Sequence, residues 1–296
     1  MSAADARISP TAHYTGYVWY RAGLSDRALV TPGGAFLYRV LVPVNAVTYR
    51  LGGSSLERML LARHTLIDRF LTAAIETGEV GQVLEIGAGL SPRGYAFSAR
   101  YVDRGLVYVE GDLPHMVERK REMLDRAPKR PGAHHVVSLD VLSDGDLRAV
   151  RDRYFESSRG AAIITEGLLP YFDTPSVVKM WRSFAQVLSG FPRGLYLSDL
   201  HVENDFSEVK GGRLFTRALS VFTRGAVHEH FNGVSDVEQV LQESGFSRAS
   251  LRDASPLVRQ AGIDVPPSVV RIVEARCRED RERVPGNDNN AGERNS

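Results

Sequence analysis

Three groups of residues in this chain have the type and spacing to meet a ligand. The first is the glycine pair in Glu85-Ile86-Gly87-Ala88-Gly89-Leu90-Ser91-Pro92, which follows the short apolar run Val83-Leu84. Glycines at 87 and 89 permit a tight turn and let a ligand reach backbone amides that a Cβ would shield. The second is Asp112, which closes Val109-Glu110-Gly111-Asp112, 23 positions past Gly89. A carboxylate there can accept both hydroxyls of a ribose. The third group is a pair of further acids at the ends of apolar runs. Asp140-Val141 could offer a carboxylate to an adenine amino group and an amide to its ring, or could simply form a turn. Glu166, in Thr165-Glu166-Gly167-Leu168-Leu169-Pro170-Tyr171, is placed to meet a ligand ammonium or an approaching substrate, or to be a loop acid.

The loop separates two nucleotide chemistries. A dinucleotide fingerprint needs a third glycine at position 92 for close helix packing and for the pyrophosphate. This chain has Pro92, which also lacks an amide donor. A methyltransferase loop needs only the short Gly-x-Gly, because its ligand carries no phosphate to cradle. An NAD(P)-dependent oxidoreductase is therefore the weaker enzyme reading. A protein that binds the methyl-donor cofactor without catalysis is the reading from another class.

The elements that must position these residues follow from periodicity. Ser54–Thr77 reads as a helix, with Ser54 and Glu57 at capping-box spacing and Gly78 as the stop. Leu56, Met59, Leu60, Ile67, Phe70, Leu71, Ala74 and Ile75 fall on one face. From residue 81 strands alternate with helices: strands at 83–86, 106–110, 136–139, 161–165 and 195–197, helices near 95–100, 115–125 and 174–188. Thr174 is the expected cap of the last of these, with Pro175 at its first position. A helix at 235–244 and two late strands, 246–251 and 269–275, complete the pattern. Such alternation predicts an α/β fold, a doubly wound, Rossmann-like, mostly parallel seven-stranded sheet. Residues 1–53, broken by Pro32-Gly33-Gly34 and carrying Tyr14, Tyr17, Trp19 and Tyr20, read as an N-terminal extension of short helices, a candidate lid. Residues 54–276 form the expected catalytic domain, 202–232 an insertion after the fifth strand, and 277–296 a frayed tail.

Composition narrows the class. The 296 residues are 43% hydrophobic and 25% charged, and 37 Lys+Arg against 36 Asp+Glu leave a net charge of +1. That balance gives no footprint for nucleic acid. The single Cys277 rules out an internal disulfide or a four-cysteine metal site and suits a reducing cytoplasm. The longest uncharged stretch, Ala28–Tyr38, is too short to span a bilayer, and the N-terminus does not read as a secretory signal.

Several segments together resemble the leucine carboxyl methyltransferase family, including its tetracenomycin-type polyketide O-methyltransferase branch. They are Leu84–Leu90, then Tyr108-Val109-Glu110-Gly111-Asp112-Leu113-Pro114 with Lys120 after it, the Glu166-Gly167 pair, and the helix Ala62–Phe70. The resemblance covers residues 55–200 best. It implies a class I fold that binds S-adenosyl-L-methionine and methylates a carboxylate or hydroxyl oxygen of a small molecule. By it, Arg63 would hold the cofactor's methionine carboxylate, although a helix arginine can also snorkel past an apolar stripe. Glu85, Gly87, Ala88 and Gly89 would line the cofactor, Asp112 and Leu113 would meet the ribose, and Asp140 and Val141 the adenine. Glu166 would face the methionine amino group or the reacting centre. The chain departs from the family at Ser91-Pro92, where Asp-Thr is usual, which leaves the placement of Arg93 and its helix open.

Whether a base is needed depends on the acceptor. A carboxylate is already ionised near neutrality, whereas a phenol, with a pKa of about 10, gains from a nearby proton acceptor. Glu166, Tyr171 and His201 are the catalytic candidates, and His228 and His230 are further candidate bases. Tyr20 and Arg21 are candidate substrate contacts. His228-Glu229-His230 lacks a third ligand at a recognisable spacing, so no metal is expected.

Overall fold

The computed structural model describes residues 5–52, 55–129, 132–202, 230–253, 255–260, 262–263 and 270–277. The sequence-based assignments to Ser54, His228, Glu229, nearly all of the 202–232 insertion and residues 278–296 lie outside them.

A seven-stranded sheet runs in the order β3-β2-β1-β4-β5-β7-β6. Its strands are β1 (Gln82–Ile86), β2 (Val107–Asp112), β3 (Ala133–Ser138), β4 (Ala161–Thr165), β5 (Gly194–Asp199), β6 (Arg248–Asp253) and β7 (Arg271–Cys277). The first five are parallel, and β7 enters antiparallel between β5 and β6. Every residue of β1, β4 and β5 is buried, the signature of strands covered on both faces. The strand order reverses between β1 and β4, so the loop after β1 opens at the switch point where such sheets take ligands.

Ahead of the sheet lie α1 (Asp5–Arg21), α2 (Pro32–Gly52) and α3 (Leu56–Glu76); α4 (Arg93–Arg100), α5 (Pro114–Asp125), α6 (Asp144–Tyr154), α7 (Thr174–Leu188), α8 (Val234–Glu243) and α9 (Ser255–Arg259) follow. The apolar stripe of α3 packs one sheet face, where Leu66, Ile67 and Leu71 join Val83, Tyr108, Ala162 and Leu197. On the other face Trp181 and Phe184 of α7 join Leu84, Val109, Ile163 and Tyr196.

Four expectations need correction. The N-terminal extension is built of two long helices, not short ones, because Pro32 starts α2 instead of breaking the chain. The side chain capping α3 is Ser55, which accepts from the Arg58 amide at 3.3 Å. The cap of α7 is Asp173, accepting from the Ser176 amide, so Thr174 is already helical. Helix α6 was not anticipated; only Leu147 and Val150 of its eleven residues are buried, too few to leave an apolar stripe.

Helix α1 lies against the glycine loop. A Cβ on Gly16 would come within 3.1 Å of the Leu90 Cβ, and one on Gly89 within 3.2 Å of the Ala12 Cβ. Helix α2 backs α1 as closely, since a Cβ on Gly34 would overlap the His13 carbonyl oxygen. Tyr14 is fully enclosed between them and accepts from the Asn45 side chain at 3.0 Å.

Candidate active site

The loop after β1 is held by β2. Gly87 and Gly89 take the left-handed conformation, with φ +67° and +51°. The Gly87 amide donates to the Gly111 carbonyl at 2.8 Å, and the Gly89 amide to Asp112 Oδ2 at 2.6 Å. Asp112 Oδ1 accepts from the Leu113 amide at 2.7 Å. Burial raises the Asp112 pKa, and these amides with Lys120 only partly offset it. A Cβ on Gly87 would strike Leu168, so the loop is shaped for close approach from both sides. Behind it, the buried Lys120 ammonium pairs with Glu110 and donates to the Ser91 carbonyl at 2.8 Å. Burial acts to raise the Glu110 pKa, but Lys120 and His134 outweigh it and hold the carboxyl ionised.

Next to the loop is a cluster of charges drawn from four elements. Glu166, just past β4, receives Arg63 Nε on Oε1 at 3.1 Å. Its Oε2 meets His64 Nδ1 at 2.8 Å and Arg93 Nη2 at 2.7 Å. Burial works to raise the Glu166 pKa; His64, Arg93 and Arg63 more than cancel it and hold the carboxyl well below the usual carboxylate range. Arg63 Nη1 also donates to Asp199 Oδ2 at 3.2 Å, at the end of β5, while Asp199 Oδ1 accepts from the Gly167 amide at 2.6 Å. Gly167 has φ +64°, and a Cβ on it would collide with the Arg63 guanidinium. Arg63 is thus oriented by two carboxylates and does not snorkel to solvent. The buried indole of Trp19 on α1 packs against His64, with ring centroids 4.6 Å apart and the rings tilted by 39°, and closes this end of the cluster.

The other sequence candidates fall as follows. Glu85 is buried below the loop, where its two oxygens take Arg93 Nη1 at 2.6 Å and the Tyr108 hydroxyl at 2.7 Å. That removes it from direct contact with a ligand above the loop. Asp140 is exposed and forms a turn by accepting from the Leu142 amide at 2.9 Å, while Val141 is buried beside it. Tyr171 lies close to Arg63 and Asp199; burial pushes its hydroxyl pKa up, against Thr11 of α1 and Arg63. His201 is half-buried two residues beyond Asp199. His230 braces the loop after β4 instead of facing it, with Nε2 3.1 Å from the Leu169 carbonyl and Nδ1 3.2 Å from Thr174 Oγ1.

Sequence reasoning gave no role to His64, Asp68 or Asp199. Asp199 closes β5, so the rule that strand-end acids face ligands was enough to find it. His64 and Asp68 stand one and five residues after Arg63 on α3, a spacing that became meaningful only once Arg93 was placed beside them.

Residues 47–184 match the family model of leucine carboxyl methyltransferase. The match covers a little under half of the chain, which over that segment is similar to this family. A protein of Mycobacteroides abscessus, provisionally named an S-adenosyl-L-methionine-dependent methyltransferase, is 32% identical over 127 residues, 43% of this chain and 41% of its own length. One from Mycolicibacterium smegmatis, named in the same way, is 36% identical over 111 residues, 37% of this chain and 36% of its own. The chain therefore matches about two fifths of the length of these curated relatives. Among solved structures, a DUF574 family protein from Streptomyces avermitilis aligns with a TM-score of 0.60 at 13% identity, over 91% of this chain and 97% of its own. A provisionally named methyltransferase from Thermobifida fusca gives 0.60 at 15%, over 90% and 94%. These two share the fold. The relatives are named for S-adenosyl-L-methionine, a cofactor that the glycine loop with its strand-end acids suits.

Proposed function

We propose that this leucine carboxyl methyltransferase-like chain transfers a methyl group from S-adenosyl-L-methionine to an oxygen of a small molecule, and that the acceptor is a carboxylate. One observation carries this reading: Arg63, Glu166 and Asp199 are bonded into one cluster next to a Gly-x-Gly loop whose second glycine is tied to Asp112. Asp112 and Leu113 would hold the ribose, Val141 and the Asp140 turn the adenine, and the Gly87-Ala88-Gly89 backbone the linking atoms. Arg63 would take the methionine carboxylate and Glu166 the ammonium. The cofactor supplies an activated methyl group, so the protein's share is alignment and exclusion of water. Helices α1 and α2 would act as the lid, with Ala12 and Trp19 covering the two ends of the site.

The choice of a carboxylate rests on the state of the candidate acids and bases. Glu166 is held ionised by three cationic or donor groups, with both oxygens engaged, so it is a poor acceptor for an acceptor's proton. Tyr171, with its pKa raised, is a hydrogen-bond donor at neutral pH. An acceptor that arrives already ionised asks nothing further of them. A polyketide or other secondary metabolite is the substrate class the resemblance suggests. The test is incubation with the cofactor and paired aryl carboxylic acids and phenols, followed by mild base. Base-labile methyl esters are expected; base-stable ethers would instead assign a hydroxyl acceptor.

A further inference from the structure

Arg93 is the first residue of α4, directly after the glycine loop, and its side chain is fully enclosed. Each of its three nitrogens goes to a carboxylate on a different element. Nε donates to Asp68 Oδ1 on α3 at 2.5 Å, Nη1 to Glu85 Oε1 on β1 at 2.6 Å, and Nη2 to Glu166 Oε2 beyond β4 at 2.7 Å. A buried guanidinium is costly to desolvate, and an apolar side chain of similar length would fill the space without that cost. What an apolar residue cannot do is fix three carboxylates in one plane, which is the use of the guanidinium fork.

The consequence runs through Glu166. With Oε2 taken by Arg93 and His64, Oε1 is the oxygen left for Arg63 Nε, and the far side of Arg63 is set by Asp199. Resting on the cofactor reading above, we propose that Arg93 is a positioning residue for the amino-acid end of the cofactor, acting through Glu166 on Arg63. Glu85 stands behind Arg93 and holds it, which explains an acid at the end of β1 that has no free oxygen for a ligand. The nucleoside end depends on a different set: Asp112 with the Gly89 and Leu113 amides, steadied by Lys120.

This division predicts a selective defect. S-adenosylhomocysteine carries both ends, whereas 5′-methylthioadenosine carries the nucleoside without the amino acid. Titration of both ligands into wild type, Arg93→Lys and Arg93→Met should show S-adenosylhomocysteine weakened about ten-fold or more in the variants, more in Met than in Lys. Methylthioadenosine should change by less than about two-fold. Equal losses for both ligands would make Arg93 a packing residue, and no loss for either would give it no part in binding; each result overturns the proposal. Should the Arg93 variants fail to fold, Asp68→Asn decides, since Asp68 is partly exposed and its loss loosens one arm of the fork. It should show the same selectivity with a smaller loss, and a uniform or absent effect would overturn the proposal. If folded wild type binds neither ligand, the cofactor reading itself fails, a result distinct from these.

Discussion

At the scale of single residues, the chemistry open to the site depends on which oxygens and nitrogens are already engaged. Glu166 has two oxygens and three partners, and its pKa is depressed in the folded state despite burial. A carboxyl of that kind adds stability that is fully present above its unfolded pKa and is lost progressively as pH falls from there through the folded value. Glu166→Gln should therefore cost about 3 kcal/mol at neutral pH, as for breaking a buried pair. The difference from wild type should persist at pH 4, where an unfolded glutamate is about half protonated, and close only in stronger acid. Thermal melts of both proteins across that range would show it; a gap already closed at pH 4 would mean an ordinary carboxyl. Of these residues, Asp112 and Glu166 were legible because they end apolar runs, and Arg63 through its match to a family helix. Arg93 and His64 were not given roles, because their meaning lies in partners 73 and 102 positions away along the chain.

Elements were legible where burial leaves a periodic trace and obscure where it does not. Helix α3 could be traced from its apolar stripe, whereas α6 lacks one and announces itself only through the Ser143 cap, which accepts from the Asp146 amide at 3.2 Å. Pro32-Gly33-Gly34 was read as a break because glycine pairs usually punctuate; here the second glycine lets two helices meet. Gly33 has open space around it, while a Cβ on Gly34 would overlap the His13 carbonyl of α1. Gly33→Ala should stabilise the protein by about 0.5–1 kcal/mol, and Gly34→Ala should destabilise it by about 1–3 kcal/mol. Denaturant melts giving the same sign for both would contradict the α1–α2 packing. The start of α7 gives a second check: Asp173→Ala should cost about 1 kcal/mol in denaturant melts, and no loss would favour the cap read from sequence at Thr174.

At the scale of the whole molecule, the parallel part of the sheet followed from strand–helix alternation, and the opening at the β1/β4 reversal followed from that. The insertion of β7 between β5 and β6 did not, because an antiparallel late strand carries the same apolar pattern as a parallel one. The fold brings the ends of β1, β2, β4 and β5 to one edge, where α1 lies over them. No helix of the described residues is long and apolar enough to cross a membrane. This edge suits a cofactor of the methyl-donor kind and not a dinucleotide. Calorimetric titration of wild type and Asp112→Ala with S-adenosyl-L-methionine, S-adenosylhomocysteine and NAD tests it most directly. Roughly micromolar binding of the two methionine-derived ligands is expected, with its loss in Asp112→Ala and no heat from NAD. Binding of NAD, or no binding of any ligand by folded wild type, would contradict it.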